Sequence, residues 1–236
     1  MLDVKSIAGR SFLDVGCGSG LFSLAARRLG ARVHSFDFDP QSVACTAELK
    51  RRYAADDPDW TVERGSVLDS AYLAALGQFD VVYSWGVLHH TGRMWEAIDH
   101  AAARVAPGGK FFIAIYNDQG RSSQIWLRVK QLYNGLPRRL RWLVLYPALV
   151  RLWGPTTVRD LLRGRPGVTW RNYAAESMRG MSAWHDVVDW VGGLPFEVAT
   201  PAEIIAHCER LGFREIRHTD CGRGHGCNEF VFERVN

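Results

Sequence analysis

The sequence predicts a doubly wound α/β fold, and three observations carry that prediction. Apolar strand-like runs alternate with helix-like stretches up to Asp118. A glycine-rich turn, "GCGSG" at 16–20, closes the first run. Polar or small residues then stand behind each later run: Asp37, Ser66, Ser84 and Asn117. In a parallel sheet with right-handed crossovers, all of these reach one carboxyl edge, where such folds bind ligands.

The elements follow in order. "SFLDVG" is a strand ending at the glycine turn, and "LFSLAARRLG" is a helix closed by Gly30. "ARVHSFDFD" is the second strand, followed by a helix over 40–53 with Pro40 in its first turn. "DWTVERGSVL" is a third strand. "FDVVYSWGVL", nearly all apolar, suits a fourth buried on both faces. A helix is expected over 94–105, then "APGGK" as a turn into a fifth strand, "FFIAIYN".

At Asp118 the rhythm breaks, and 118–194 reads as a helical, aromatic and basic insert. Eleven Lys/Arg fall between Gly120 and Arg171 against a single acid, Asp160. The pattern resumes at "TPAEIIAHCERLG", where Thr200 and Glu203 form a capping box. Strands "FREIRHTDC" and "NEFVFERV" finish the chain as an antiparallel hairpin. The expected organisation is one domain over 1–236, with a core of 1–117 and 195–236.

Composition narrows the setting. Apolar residues make up 47% and charged residues 23%, enough for a real core, and the net charge of +4 does not suggest nucleic acid. Five cysteines without a CxxC pair fit a reducing cytoplasm. Cys221, His225 and Cys227 lie close together but match no usual zinc spacing, so no metal is expected. The N-terminus lacks the apolar run of a signal peptide. "WLVLYPALV", residues 142–150, is too short to span a bilayer. The segment 136–153, with arginines around Trp142 and Tyr146, has the pattern of a peripheral membrane contact, although packing or a homodimer contact is preferred and Pro147 argues against one continuous helix.

The glycine turn discriminates between ligands. A dinucleotide turn reads GxGxxG, with the pyrophosphate at a helix N-terminus. Here Gly16, Gly18 and Gly20 give GxGxG, and Asp14 stands two residues before the first glycine. A carboxylate there disfavours a pyrophosphate and favours an ammonium group. A cofactor with a cationic amino-acid end, such as S-adenosylmethionine, fits better than NAD(P), and an oxidoreductase or a non-catalytic binding module remain the readings from other classes.

In these motifs the chain resembles the class I S-adenosylmethionine-dependent methyltransferases, and its core motifs are similar to those of the ubiquinone-pathway enzymes. "LDVGCGSG", "VHSFDFDP", "FDVVYSWGVLHH" and "APGGKFFIAIYN" match the family's motifs in order. The resemblance implies a Rossmann-like, seven-stranded, mostly parallel sheet with a reversed C-terminal hairpin. It implies cofactor contacts from Asp14, Gly16, Cys17, Gly18, Gly20, Asp37, Phe38, Ser66, Val67, Leu68, Ser84 and Trp85. Asp37 stands where the family's ribose-binding acid stands. Ser66 replaces the Asp the family often places at the adenine, which makes Asp69 or the backbone near Val67 the alternative contact. The resemblance further implies that the insert covers the acceptor, and that N-terminal helices usual in the family are either replaced by the insert or lie upstream of this start.

Methyl transfer requires alignment of the acceptor and, for hydroxyl or protonated amine acceptors, a base. His89, His90, Tyr116 and His185 are the candidates for that chemistry, and Tyr116, Asn117, Trp184, His185 and Asp186 for acceptor contact. The alternative for "AWHDVVDWV" is a surface helix with Trp184, Val187, Val188 and Val191 packed inward. The expected activity is methyl transfer to a small molecule, O-methylation favoured over N or C, with a lipid-like quinone precursor as the alternative acceptor.

Overall fold

The computed structural model describes residues 7–176, 181–222 and 226–235. In chain order it contains β1 (Ser11–Val15), α1 (Leu21–Arg28), β2 (Arg32–Asp37), α2 (Pro40–Tyr53), β3 (Trp60–Arg64), α3 (Ser70–Leu76), β4 (Phe79–Trp85), α4 (Met94–Ala102) and β5 (Val105–Tyr116). Helices α5 (Arg121–Gly135), α6 (Trp142–Leu162), α7 (Val168–Glu176) and α8 (Ala183–Gly192) follow, then α9 (Pro201–Arg210), β6 (Phe213–Thr219) and β7 (Cys227–Arg234). The chain divides into two compact units, Met1–Asp118 with Glu197–Asn236, and Gln119–Phe196.

The first unit is built on a seven-stranded sheet of order β3-β2-β1-β4-β5-β7-β6. β1 to β5 run parallel and β7 pairs antiparallel with both β5 and β6. One face buries Leu13, Val15, Val82, Phe111 and Ile113 beneath α4 and α9. The other buries Phe12, Val33, Val81 and Phe112 with Leu24 and Ala26 of α1. Strands apolar on both faces are what a sheet covered twice requires.

Local signals set the helix ends. Asp39 caps α2 by accepting from the N–H groups of Gln41 and Ser42, with Pro40 behind it. Asp69 caps α3, a helix the sequence pattern did not reveal, by accepting from Tyr72 N–H. The capping box of Thr200 and Glu203 forms as expected.

Two expectations are corrected. Helix α4 stops at Ala102, because Val105 is already paired with Phe79. "APGG" is therefore a bulge inside β5: register resumes only at Lys110 opposite Val81, and a Cβ on Gly109 would stand 2.7 Å from the Ala106 carbonyl.

The second unit packs α5, α6 and α8 around Trp126, Tyr133, Val144, Leu145, Ala148, Val187 and Val191. Pro147 does not divide α6, which runs unbroken over 21 residues with both Pro147 and Pro155 inside it. Both rings are exposed, so the carbonyls that lose their helical partner lie on the solvent side. Trp184 is not packed inward with Val187 and Val191 but is 39% exposed.

Candidate active site

The glycine turn leaves β1 with three left-handed residues, Gly16, Gly18 and Gly20. They serve different ends. A Cβ on Gly16 would lie 2.5 Å from Val87, and one on Gly20 would lie 2.8 Å from Thr46, so these two are needed for packing. Gly18 has nothing within 4 Å, and neither does Gly86 just past β4. Those two positions expose backbone to open space at the carboxyl edge. This is room for a ligand to approach closely.

Two carboxylates flank the turn in different environments. Asp14 is buried, and its Oδ2 accepts a 2.5 Å hydrogen bond from Ser23 Oγ. Ser23 Oγ and Ser35 Oγ are 2.7 Å apart, and Trp60 Nε1 donates to Ser35 Oγ at 2.9 Å. Burial pushes the Asp14 carboxyl up to about 7, partly offset by the Ser23 hydrogen bond and reinforced by the nearby Asp37 charge. Asp37, half-buried at the end of β2, accepts from Gly18 N–H at 3.0 Å and from Asp39 N–H at 2.9 Å. It therefore fixes the turn as well as marking the second strand's end.

The remaining expected cofactor residues fall into two sets. Phe38 is 70% exposed beside Asp37, with the Arg64 guanidinium 5.6 Å above its ring. Ser66 Oγ accepts from Leu68 N–H, and His100 Nδ1 lies 2.9 Å from the Val67 carbonyl, so this wall is a braced turn. Asp69 is drawn into capping α3. Cys17 and Ser84 are structural in their side chains. The Cys17 thiol packs on Thr46, and burial pushes it up to about 12. The fully buried Ser84 hydroxyl donates to the Val15 carbonyl and ties β4 to β1.

On the other side of the turn, β4, β5 and β7 carry the candidate chemistry. His89 is wholly buried, its ring 3.9 Å from that of Tyr116, and its Nδ1 accepts from Tyr116 N–H at 3.4 Å. His90 is half-buried and meets Tyr116 edge-on at 5.2 Å. Asn117 Nδ2 donates to the Gly222 carbonyl, and Asn228 Nδ2 donates to Asn117 Oδ1. Trp85 reaches across the small Ala114 to give its Nε1–H to Glu229 Oε1 at 2.9 Å.

Asn228 and Glu229 went unassigned from sequence. The signal was there: a final antiparallel strand starts at the same edge where the parallel strands end, so polar residues opening "NEFVFERV" arrive beside Asn117. Trp184, His185 and Asp186 instead belong to the second unit. His185 Nδ1 lies 2.7 Å from Ser182 Oγ at the N-cap of α8, and Asp186 accepts from Tyr173 O–H at 2.8 Å. His225 lies outside the described residues, and among those described no group of His, Cys, Asp and Glu is placed to hold a metal.

Comparison with known proteins identifies this arrangement. Residues 4–165 match the family described as "Methyltransferase domain", and the chain belongs to it. With its sheet order and glycine turn, it is a class I S-adenosylmethionine-dependent methyltransferase. The ubiquinone biosynthesis O-methyltransferase of Methylobacterium sp. (strain 4-46) is 35% identical over 121 residues, 51% of this chain and 47% of that protein. The ribosomal protein L11 methyltransferase of Methylococcus capsulatus is 33% identical over 114 residues, 48% of this chain and 36% of that protein. The similarity thus spans less than half the length of either relative. Among solved structures, the magnesium protoporphyrin IX methyltransferase of Synechocystis PCC 6803 superposes with a TM-score of 0.56 at 16% identity, covering 96% of this chain and 75% of that one. The N-methyltransferase NodS of Bradyrhizobium japonicum WM9 gives 0.53 at 14% identity, covering 97% and 80%.

Proposed function

We propose that the chain transfers the methyl group of S-adenosylmethionine to a hydroxyl of a small-molecule acceptor. The observation that carries the cofactor half is the open backbone at Gly18 between two carboxylates. The residues fit the group in this reading: Asp14, buried beside the turn, supplies charge for a cationic amino-acid end, Asp37 takes a ribose diol, and Phe38 with 66–68 takes an adenine. When bound, the cofactor supplies an electrophilic methyl on a sulfonium, so the chain's task is alignment and proton removal.

The acceptor half falls to the β4–β5–β7 side. Tyr116 and His90, half-buried side by side, are the groups that take the acceptor's proton and fix its orientation. His89, closed off beneath Tyr116, holds that ring in place. O-methylation is favoured because the relatives called ubiquinone biosynthesis O-methyltransferases recur among the similar proteins. Acceptor specificity is assigned to the unit 119–196, including Trp184, His185 and Asp186. The test is label transfer from S-adenosylmethionine to a panel of phenols, alcohols and amines. Label on hydroxyl acceptors supports the reading, and label confined to amines overturns it.

A further inference from the structure

Helix α6 leaves an apolar face to solvent along its whole length. Val144, Leu145 and Ala148 point inward to the core of the second unit. On the opposite side Leu143, Tyr146, Val150 and Leu161 are 48%, 53%, 68% and 63% exposed. With Gly154 and Thr157 at the intermediate positions, they succeed one another at steps of three and four residues, which is one helical stripe. Trp142 and Val158 widen it. A helix of 21 residues is about 30 Å long, so the stripe far exceeds the scattered apolar residues of an ordinary surface.

Positive charge surrounds this face. Arg138 and Arg139 precede the helix, Arg151 lies on it and Arg165 follows it, all exposed and none in an ion pair among the described residues. Asp160, the single acid between Gly120 and Arg171, is turned inward and accepts from the N–H and O–H of Thr169. Among the described residues, no helix is long and apolar enough to cross a membrane.

We propose that α6 is an interfacial helix that docks on an anionic phospholipid bilayer. Its axis lies in the membrane plane, the Leu143–Leu161 stripe enters the acyl boundary, and Arg138, Arg139, Arg151 and Arg165 meet lipid phosphates. A second copy of the same face is a poorer occupant, because it would set these arginines against one another. The N-terminal end of the stripe carries Trp142 and Tyr146, rings that suit the headgroup boundary.

The test is flotation of the full chain with vesicles of phosphatidylcholine alone and of an equimolar phosphatidylcholine–phosphatidylglycerol mixture. The chain floats with the anionic vesicles and not with the neutral ones, and added salt weakens the association. Replacing Arg138, Arg139 and Arg151 by Ala lowers partitioning by about a hundredfold. The triple change Leu143→Ser, Val150→Ser, Leu161→Ser abolishes it while leaving S-adenosylhomocysteine affinity and the helical circular-dichroism signal unchanged, which together show that both units of the variant are folded. Flotation that is absent, indifferent to phosphatidylglycerol, or unaffected by the serine variant overturns the proposal. So does a wild-type dimer, seen by light scattering, that the serine variant dissolves. Because cofactor affinity is read separately, failure here leaves the methyltransferase reading standing, and loss of cofactor binding in the wild type overturns that reading alone.

Discussion

The two units handle polar and apolar groups in opposite ways. In the sheet unit, buried and half-buried polar side chains bond to one another toward the carboxyl edge: Asp14, Ser23, Ser35 and Trp60 on one side, Trp85 with Glu229 and Asn117 with Asn228 on the other. In the helical unit, one amine is buried among aromatic rings while a helix face of apolar side chains stays outside. Catalytic architecture of this kind needs fixed geometry, and the first unit supplies it with hydrogen bonds. The second holds its core by apolar packing and leaves apolar side chains of α6 exposed.

The contrast can be broken first at Asp37. Asp37→Ala removes the carboxylate assigned to two ribose hydroxyls, and charge-assisted bonds of about 1.5–3 kcal/mol each give a loss of S-adenosylhomocysteine affinity of about a hundredfold or more. Calorimetry checks it, and an affinity equal to the parent's removes the ribose assignment. The same change in the helical unit, at exposed Asp189, has no such effect.

Next is Lys130, the buried amine. Its Nζ donates to the Trp190 carbonyl and sits 4.5 Å and 4.7 Å from the Trp190 and Phe196 ring centres. Burial lowers its pKa from 10.5 to about 8, partly countered by the Asp189 charge. The unfolded chain therefore holds more protons between pH 8 and 10.5, so stability rises with pH across that window, by at most about 3 kcal/mol. Urea unfolding at a series of pH values should show that rise in the parent and a flat profile in Lys130→Met.

A smaller effect concerns Asp14. Its pKa, raised from 3.8 to about 7, means that the folded state favours the neutral acid. As a term in stability this group helps at low pH, and its contribution is lost as pH rises through 7. Cofactor binding has the opposite sign, because an ammonium selects the ionised form. Affinity for S-adenosylhomocysteine should improve about tenfold from pH 6 to 8, and Asp14→Asn should be weaker and insensitive to pH. The smallest expected change is Thr200→Ala, which opens the capping box of α9 and costs about 1 kcal/mol in thermal unfolding, without altering cofactor affinity.

Much of the sheet unit was legible because its signals are local. Strand runs, the glycine turn and Pro40 fix elements residue by residue, and strand order then delivers Asp37, Tyr116 and Asn117 to one edge. What escaped depended on through-space neighbours. Whether Ser84 faces a ligand or β1 is decided by which side of the sheet it takes, and Asp69 was spent on a helix too short for a periodic pattern. His89 looked like a base until the Tyr116 ring closed over it. The helical unit was legible only as composition. Pro147 suggested a break because sequence does not show that its ring faces solvent, and the apolar stripe of α6 emerges only once its other face is known to be buried.

The central claim is that the turn at Gly16–Gly20 holds a cationic cofactor without a phosphate. Calorimetric titration of the full chain with S-adenosylhomocysteine and, separately, with NAD tests it directly. Saturable micromolar binding of the first with no heat from the second is the predicted result. Binding of NAD with none of S-adenosylhomocysteine would contradict the account.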